Sequence, residues 1–379
     1  MTYKVPFIDY PKAYKAIKPE IDEAYFHCMN KGDLIFRKDT AEFENNLAKL
    51  VGKKYCISCD SCTNAMFLSL CAYGICEGDE VITVDHTYIA TIDAIVHVGA
   101  KPVLIDIRED YNINPTLIEQ ALTPYTRAII PVHLNGRSCE MDAIMAIAKK
   151  HNLLVFEDNA QSLGAKYKGI QTGNHGNTSS YSFYPAKILG SYGDGGAICT
   201  DDDEIAKRLY RLRDHGENPS YLRNYRSTDN DIKFFGFNSL LDNLQAAFLN
   251  VKLKHLNDYI TRRRQIALMY EKELFGMGDI ALPYPPDNGD YYDVFQNYVV
   301  LTEKRNALAK FLEDNGIETL IKWYPPNYKM EGLKGRIGHF YLPSTDYISS
   351  QCLSLPMYPE LDDWQVEYVI NKVREFYEV

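Results

Sequence analysis

The chain reads Ser182-Phe183-Tyr184-Pro185-Ala186-Lys187-Ile188-Leu189-Gly190 and continues through Ser191-Tyr192 into Gly193-Asp194-Gly195-Gly196-Ala197. A lysine thus stands in a predicted turn, after a short apolar run and before a cluster of glycines. Upstream lies Phe156-Glu157-Asp158-Asn159-Ala160-Gln161, where a carboxylate follows an apolar run typical of a buried strand. A lysine in a glycine-rich loop is most often a surface residue, so its interpretation depends on Asp158.

Short apolar runs and helical segments alternate along the chain from about residue 54. The pattern predicts strands at residues 55–58, 81–84, 102–106, 128–132, 153–156, 181–183 and 197–200. It predicts helices at residues 63–72, 88–98, 141–150 and 203–214, and a long helix from about 238 to 256. We therefore expect an α/β fold with an open, mostly parallel sheet flanked by helices and a site at the carboxyl ends of its strands.

A lysine on a turn and a carboxylate at a strand end are the groups that pyridoxal phosphate chemistry requires. The lysine supplies the amine for a Schiff base, and the carboxylate keeps the pyridine nitrogen protonated so that the ring can act as an electron sink. The aspartate could instead cap the next element. The pairing of Lys187 with Asp158 favours a pyridoxal 5'-phosphate (PLP) enzyme.

Length, composition and charge narrow the classes of protein. The 379 residues predict a large domain over 1–255, with an N-terminal arm, and a smaller α+β domain over 256–379. A formal net charge of −10 argues against nucleic acid as the main partner, because nucleic-acid-binding proteins usually carry an excess of basic residues. We expect a cytoplasmic protein without a membrane segment, because no apolar run could span a bilayer and the N-terminus lacks an apolar signal core.

The nine cysteines contain one spacing that could indicate a metal site. Cys56, Cys59 and Cys62 resemble part of an iron–sulfur ligand run, but position 66 is Met66 and the fourth cysteine is missing. Buried thiols are the favoured interpretation. His133 has no second histidine at ligand spacing, so we predict no catalytic metal.

Taken together, these motifs resemble the PLP-dependent sugar aminotransferases of the DegT/DnrJ/StrS family, within the aspartate aminotransferase (type I) fold. The resemblance runs from Val5-Pro6-Phe7-Ile8-Asp9 to the last helix. It implies that the cofactor alternates between pyridoxal and pyridoxamine 5'-phosphate. It further implies that L-glutamate donates the amine and that a keto-sugar, usually nucleotide-linked, accepts it.

The resemblance also implies roles around the cofactor ring. Lys187 is similar to the Schiff-base lysine, which then carries a proton between substrate and cofactor carbons, and Asp158 to the aspartate paired with the pyridine nitrogen. Gln161 resembles the residue near the ring hydroxyl, although it could be a structural amide. Tyr88 resembles the aromatic residue that stacks on the ring, although it could be a core aromatic.

The phosphate contacts implied by the resemblance come from three segments. Thr63 opens a helix whose N-terminus suits an anion, while Cys62 replaces the family's glycine. Ser182 resembles the family's phosphate-binding serine. Asn238 resembles the asparagine that reaches the phosphate of the neighbouring subunit, which implies a homodimer with shared sites; Leu240 replaces the arginine usual in that segment.

The glycine cluster after Lys187 resembles the form common among members that act at the sugar 3-position. It implies a nucleotide-linked 3-keto-(deoxy)sugar as acceptor, in amino-sugar biosynthesis for a surface polysaccharide or glycoconjugate such as lipopolysaccharide O-antigen. Arg37 stands where many relatives have glycine, and Trp323 stands at an expected histidine. Both segments border the substrate entrance in relatives, so Arg37, Trp323 and Tyr324 are candidate substrate contacts. Arg37 could equally be a surface arginine.

Other functions remain open from the sequence. The acceptor could be a 4-keto nucleotide sugar, or a free keto-sugar or cyclitol. A PLP-dependent sugar dehydratase is disfavoured because such relatives carry histidine where this chain has Lys187. A non-catalytic regulatory protein is disfavoured because Lys187 and Asp158 are both intact.

Overall fold

Residues 3–217 and 232–378 are described in this computed structural model, and they build a central seven-stranded sheet with helices packed on it. The strands are β1 (Tyr55–Cys59), β2 (Glu80–Val84), β3 (Lys101–Ile105), β4 (Thr126–Ile129), β5 (Leu154–Asp158), β6 (Lys166–Tyr167), β7 (Ile170–Gln171), β8 (Thr178–Ser182), β9 (Gly196–Thr200), β10 (Asp287–Asn288), β11 (Tyr291–Tyr292), β12 (Tyr298–Leu301) and β13 (Cys352–Leu355). The helices are α1 (Tyr10–Ala16), α2 (Lys18–Lys31), α3 (Lys38–Val51), α4 (Cys62–Ala72), α5 (Ala90–His97), α6 (Met141–His151), α7 (Asp203–Leu212), α8 (Asn243–Lys254), α9 (Leu256–Leu274), α10 (Arg305–Asp314), α11 (Pro343–Gln351) and α12 (Asp363–Glu378).

The strand order of the central sheet brings several chain segments to one edge. The order is β1-β9-β8-β5-β4-β2-β3, and the strands from β8 to β3 pair in parallel. β9 runs antiparallel to β1 and β8, so it begins at the edge where those strands end. Segments that follow β1, β2, β5 and β8 therefore meet the segment that precedes β9. The predicted α/β fold with a mostly parallel sheet is confirmed.

The predicted start of the long helix near Asn238 is wrong. Asn238 forms an isolated bridge with Asp214. The Ser239 N–H donates to the Arg213 carbonyl at 2.9 Å. These backbone pairings hold the segment extended, so α8 begins only at Asn243.

The N-terminal segment completes the core of the C-terminal part of the chain. Val5 is fully buried in a cluster formed largely by α9, α10, α12 and the antiparallel β12–β13 pair. Its N–H donates to the Gly316 carbonyl at 3.0 Å, and its carbonyl accepts from the Glu318 N–H at 2.9 Å. Residues from both ends of the chain thus share one core. The predicted domain division at residue 255 stays a prediction.

The cysteines that resemble an iron–sulfur ligand run are buried in the sheet and at the start of α4. Cys56, Cys59 and Cys62 are buried free thiols, and Cys56 lies opposite Cys199 in the β1–β9 pair. Among the residues that the structure describes, no group of three or more His, Cys, Asp or Glu side chains could hold a metal ion. Nor does any described helix combine the length and apolar character needed to cross a bilayer.

Candidate active site

A cavity of about 530 Å³ opens at the carboxyl edge of the central sheet. Its walls come from the segments after β1, β2, β5 and β8, the segment before β9, and residues 296–297 and 322–323. The predicted site residues that line it are Cys62, Thr63, Tyr88, Asp158, Gln161, Ser182, Lys187 and Trp323. The fold therefore gathers most of the predicted site in one place.

Asp158 is the last residue of β5 and is almost fully buried. Its Oδ2 accepts a hydrogen bond from Thr91 Oγ1 at 2.9 Å, and its Oδ1 accepts from the Ala160 N–H at 3.0 Å. Burial raises the pKa of this carboxyl, while those hydrogen bonds and the charge of Lys187 act in the opposite direction. A carboxylate has about four lone-pair sites, so Asp158 can accept a further hydrogen bond from a cationic partner.

Lys187 lies in the turn between β8 and β9, and the turn is closed at its base. The Phe183 N–H donates to the Gly195 carbonyl at 2.7 Å, and the Lys187 N–H donates to the Tyr184 carbonyl at 2.9 Å. Burial lowers the pKa of the Lys187 amine, while the nearby charge of Asp158 raises it. An amine whose pKa is lowered by burial gives up its proton more readily than an exposed lysine does.

Gln296 fixes the backbone on both sides of Lys187. Its Oε1 accepts from the Ile188 N–H at 2.8 Å, and its Nε2 donates to the Ala186 carbonyl at 2.8 Å. Gln296 is buried and belongs to the segment before β12, far from the turn in sequence. The lysine is thereby held by a side chain that no local sequence pattern identifies.

The N-terminus of α4 forms the opposite wall. Ser61 is the N-cap and accepts the Asn64 N–H at 3.1 Å, while Cys62 and Thr63 open the helix. The first N–H groups of a helix have no acceptor within the helix, so this end suits an anion. Cys62 takes the first helical position, so the change from the family's glycine leaves the helix start intact. Burial raises the pKa of the Cys62 thiol, which keeps the thiol neutral.

Gly196 allows the sheet to approach this helix end. A Cβ at Gly196 would lie 2.6 Å from the Cys62 nitrogen and closer still to the Ser61 carbonyl. Any side chain would therefore strike backbone atoms, which cannot move aside as a flexible side chain can. The glycine next to the lysine turn thus also shapes the end of the cavity at α4.

A chain of hydrogen bonds orients the amide of Gln161. Its Oε1 accepts from the Asn135 N–H at 3.0 Å and from Asn297 Nδ2 at 2.9 Å. Asn297 Oδ1 in turn accepts from Lys322 Nζ at 2.5 Å. Because the carbonyl oxygen of Gln161 is engaged, its NH2 group is the part available to donate into the cavity.

The aromatic residues Tyr88 and Trp323 line the cavity. Tyr88 is 64% exposed and precedes α5, so it does not open that helix as the sequence predicts. Its ring centroid lies 6.3 Å from that of Trp323. Trp323 has a φ of +61°, which is unusual for a bulky residue and is often found at functional positions. These rings provide a wall against which a flat group can stack.

Three predicted site residues do not line the cavity. Asn238 is exposed on the segment before α8. The Arg37 guanidinium donates to the Ile35 carbonyl at 3.2 Å and lies 3.5 Å from the Asp33 carboxylate. Tyr324 is 51% exposed. The roles predicted for these residues stay predictions.

Sequence reasoning missed four side chains of the site: Thr91, Gln296, Asn297 and Lys322. Lys322 lies beside Trp323 in the sequence, within a segment recognised as bordering the entrance, so its charge was a usable signal. The other three carry no local motif. Their positions depend on contacts between distant segments.

The donor set fits PLP. A buried carboxylate with free lone pairs suits a pyridinium nitrogen, and the N-terminus of α4 suits a phosphate. The amide NH2 of Gln161 suits a ring oxygen, and the amine of Lys187 lies in the same cavity. Each polar function of the cofactor therefore has a matching group within one cavity.

Comparison with known proteins gives consistent results. A pleiotropic regulatory protein of Geobacillus stearothermophilus is 39% identical over 98% of both chains. The UDP-2-acetamido-2-deoxy-3-oxo-D-glucuronate aminotransferase of Pseudomonas aeruginosa is 38% identical over 96% of this chain and 98% of its own. The structure of S. venezuelae DesV in complex with a ketimine intermediate superposes with a TM-score of 0.93 at 37% identity, and covers 100% of both chains.

The family comparison agrees with the relatives. The DegT/DnrJ/EryC1/StrS aminotransferase family matches residues 15–374. Members of this family depend on PLP, and a structural relative has been solved with pyridoxamine phosphate bound. The predicted cofactor and reaction class are confirmed. The chain belongs to the DegT/DnrJ/EryC1/StrS family and is a PLP-dependent sugar aminotransferase.

Proposed function

We propose that this enzyme transfers the amino group of L-glutamate to the 3-keto group of a nucleotide-linked sugar, most simply a deoxysugar. The observation that carries the proposal is one cavity that holds Lys187, the buried carboxylate of Asp158 and the N-terminus of α4. The amino sugar would serve a surface polysaccharide or glycoconjugate.

The side chains of the cavity have separate roles in the proposed reaction. Lys187 moves the proton at its Nζ atom, and its lowered pKa suits that task. Asp158 holds a positive charge opposite its carboxylate. Thr63, Cys62 and Ser182 bind the phosphate end, Gln161 binds the ring oxygen, and Tyr88 covers the ring. PLP, when bound, supplies the electron sink that stabilises the substrate carbanion.

The choice of the sugar 3-position is supported by two observations. The segment from Gly190 to Gly196 has the form common among enzymes acting at that position, and Asp194 and Gly195 line the cavity. The P. aeruginosa relative is named for a 3-oxo sugar nucleotide. The name of the G. stearothermophilus relative describes regulation, but the amine and carboxylate that catalysis needs are both present here.

A homodimer with shared sites is part of the proposal. Asn238 is exposed and lies outside the cavity of its own chain, as expected of a residue that reaches a partner's phosphate. The neighbouring Phe235 is 98% exposed and Phe237 is 40% exposed. Exposed aromatic residues of this kind mark interfaces.

Product analysis with purified, cofactor-loaded enzyme tests the reaction. L-Glutamate is supplied with 3-keto and 4-keto nucleotide sugars and with free keto-sugars or cyclitols. We expect amination of 3-keto nucleotide sugars only. Equal rates on 3-keto and 4-keto substrates would contradict the proposed position, and turnover of free keto-sugars alone would assign that substrate class instead.

Two lysine variants test the role of Lys187. Borohydride should fix the cofactor on Lys187, and Lys187→Ala should not transaminate. Lys329→Ala is the matched control, because Lys329 is exposed and paired with Asp346 at 2.7 Å. Full turnover by Lys187→Ala would remove this residue from the mechanism.

A further inference from the structure

Lys322 is a second amine in the cavity that contains Lys187. It lies on the extended segment whose Leu320 forms a backbone bridge with Ser354 of β13. The Leu320 N–H donates to the Ser354 carbonyl at 3.2 Å, and the reverse bond measures 2.8 Å. Lys322 is therefore presented by an anchored segment.

The Lys322 amine is held by a neutral acceptor rather than by a carboxylate. Its Nζ donates to the neutral Asn297 Oδ1 and lies 5.1 Å from the Phe7 ring centroid. Among the residues that the structure describes, no ion pair joins Lys322 to a carboxylate. Burial, followed by the positive charges of Lys187 and Arg263, lowers its pKa to about 7. An anion beside Lys322 would relieve this excess of positive charge.

Asp158 and Asp194 are the acids that line the cavity, and among the contacts of the described residues neither pairs with Lys322. Asp158 is engaged by Thr91 and by the Ala160 N–H, and it faces the position proposed for the pyridine nitrogen. The phosphate end of the cavity lies at α4, whereas Lys322 is joined through Asn297 to Gln161. A substrate can supply the anion that completes the surroundings of Lys322.

We propose that Lys322 binds a substrate carboxylate, and that in the donor half-reaction this is a carboxylate of the amino acid; this assignment rests on the proposed glutamate-dependent function. An amino-acid donor always carries a carboxylate next to the carbon that loses its amine. A primary amine held by one neutral acceptor keeps further N–H groups for that carboxylate. A uronate carboxylate on the acceptor sugar is the other source of the same chemistry.

Binding measurements with glutarate test the assignment without turnover. Glutarate is a dicarboxylate without an amine, so its dissociation constant from the holoenzyme reports carboxylate recognition. Lys322→Met should weaken glutarate binding by about tenfold or more, the scale of one charge-assisted hydrogen bond. Lys322→Arg should stay within a few-fold of the wild type. Lys329→Met controls for loss of one positive charge from the same part of the chain.

Separate half-reactions identify the source of the carboxylate. If Lys322 binds the donor, Lys322→Met slows the half-reaction with L-glutamate at subsaturating donor more than it slows amination of a nucleotide-linked keto-sugar whose sugar carries no carboxylate. A loss confined to a uronate-containing acceptor would move the contact to the sugar and overturn the donor assignment. Unchanged glutarate, glutamate and uronate binding in Lys322→Met would overturn the proposal as a whole.

The two proposals fail in different ways. If the wild-type holoenzyme binds glutarate through Lys322 but does not use glutamate, the carboxylate site stands and the proposed donor is wrong. If glutamate is used equally well by wild type and Lys322→Met, the donor stands and the role of Lys322 is wrong. A melting temperature and cofactor content equal to the wild type show that the Met variant is folded.

Discussion

At the scale of single residues, Gln296 shows how a distant side chain can position a catalytic amine. Its side-chain amide forms two hydrogen bonds of 2.8 Å, one with the Ile188 N–H and one with the Ala186 carbonyl. Neither bond involves the side chain of Lys187. A rigid backbone leaves the amine fewer orientations to search. Gln296 is thus a positioning residue rather than a catalytic one.

Gln296→Leu should remove both bonds and lower stability by about 2 kcal/mol, since each neutral hydrogen bond contributes about 1 kcal/mol. We expect kcat to fall more than KM changes, and the pH profile of cofactor absorbance to shift as Lys187 moves. Gln296→Glu keeps the acceptor for the Ile188 N–H but cannot donate to the Ala186 carbonyl, so it should also lower kcat. Gln120→Leu, on an exposed surface, is the control. An unshifted pH profile in Gln296→Leu would leave only a structural role.

Lys322 makes carboxylate binding depend on pH. The pKa of about 7 lies below the usual value because of burial and the charges of Lys187 and Arg263. Only the protonated amine attracts a carboxylate, so glutarate affinity should be highest below pH 7 and fall as pH rises through that value. Above the pKa of the Lys322 amine, the dissociation constant of glutarate should rise by up to about tenfold for each pH unit.

Calorimetric titrations with glutarate from about pH 6 to about pH 9 check this dependence. The carboxylates of glutarate stay ionised throughout that range, so they add no slope of their own. Lys322→Arg should give a flat profile in the same range, because a guanidinium does not deprotonate. Equal slopes for the wild type and the Arg variant would assign the dependence to another group.

At the scale of elements, the reversed direction of β9 brings the glycine cluster to the site. β8 and β9 are adjacent and antiparallel, so the connection between them stays at the carboxyl edge of the sheet. That connection contains Lys187 near its start and Asp194 and Gly195 near its end. Gly196, the first residue of β9, packs closely against the backbone at the start of α4. One connection therefore contributes both the lysine and part of the cavity wall.

Gly196→Ala should damage the end of the cavity at α4, because the added Cβ would meet the backbone of Ser61 and Cys62. We expect a loss of about 1–3 kcal/mol in stability, the usual cost of overpacking, together with weaker retention of the cofactor phosphate. Gly332→Ala is the matched control, since nothing lies within 4 Å of its added Cβ. Thermal melting and cofactor release measure the two effects. Wild-type cofactor retention in Gly196→Ala would show that this close approach is dispensable.

The elements that carry the site were predictable from the sequence, and their long-range partners were not. A buried run that ends in Asp158 identifies a strand and its functional end from local pattern alone. The local pattern around Asn238 predicts helix, whereas the segment is extended because Asn238 pairs with the distant Asp214. Gln296 and Thr91 were missed for the same reason, since their roles depend on which segments the fold brings together.

At the scale of the whole molecule, the proposed homodimer would cover apolar side chains that are exposed in the single chain. Ile35 is 52% and Leu34 is 47% exposed, and Ile35 forms a bridge with Asp242, close to the segment of Phe235, Phe237 and Asn238. Apolar side chains that face water are stabilised when a second copy covers them. The proposed role of Asn238 requires such a covering.

Mixing two inactive variants tests the shared site. Lys187→Ala and Asn238→Ala should each be inactive or nearly so alone. Random exchange gives heterodimers with one intact site, so the mixture should regain about a quarter of wild-type activity. Exchange is verified with subunits of different mass. No recovery after verified exchange would show that each chain builds its own site.

The burial of Val5 has a consequence for how the molecule is made. Val5 is synthesised about 310 residues before its backbone partners Gly316 and Glu318, and also before the α12 side chains around it. Until then the N-terminal segment has no place to dock, and the C-terminal core lacks one of its members. Closure of that core should therefore wait until α12 has been synthesised, and removing residues 1–8 should leave a newly made chain dependent on chaperones.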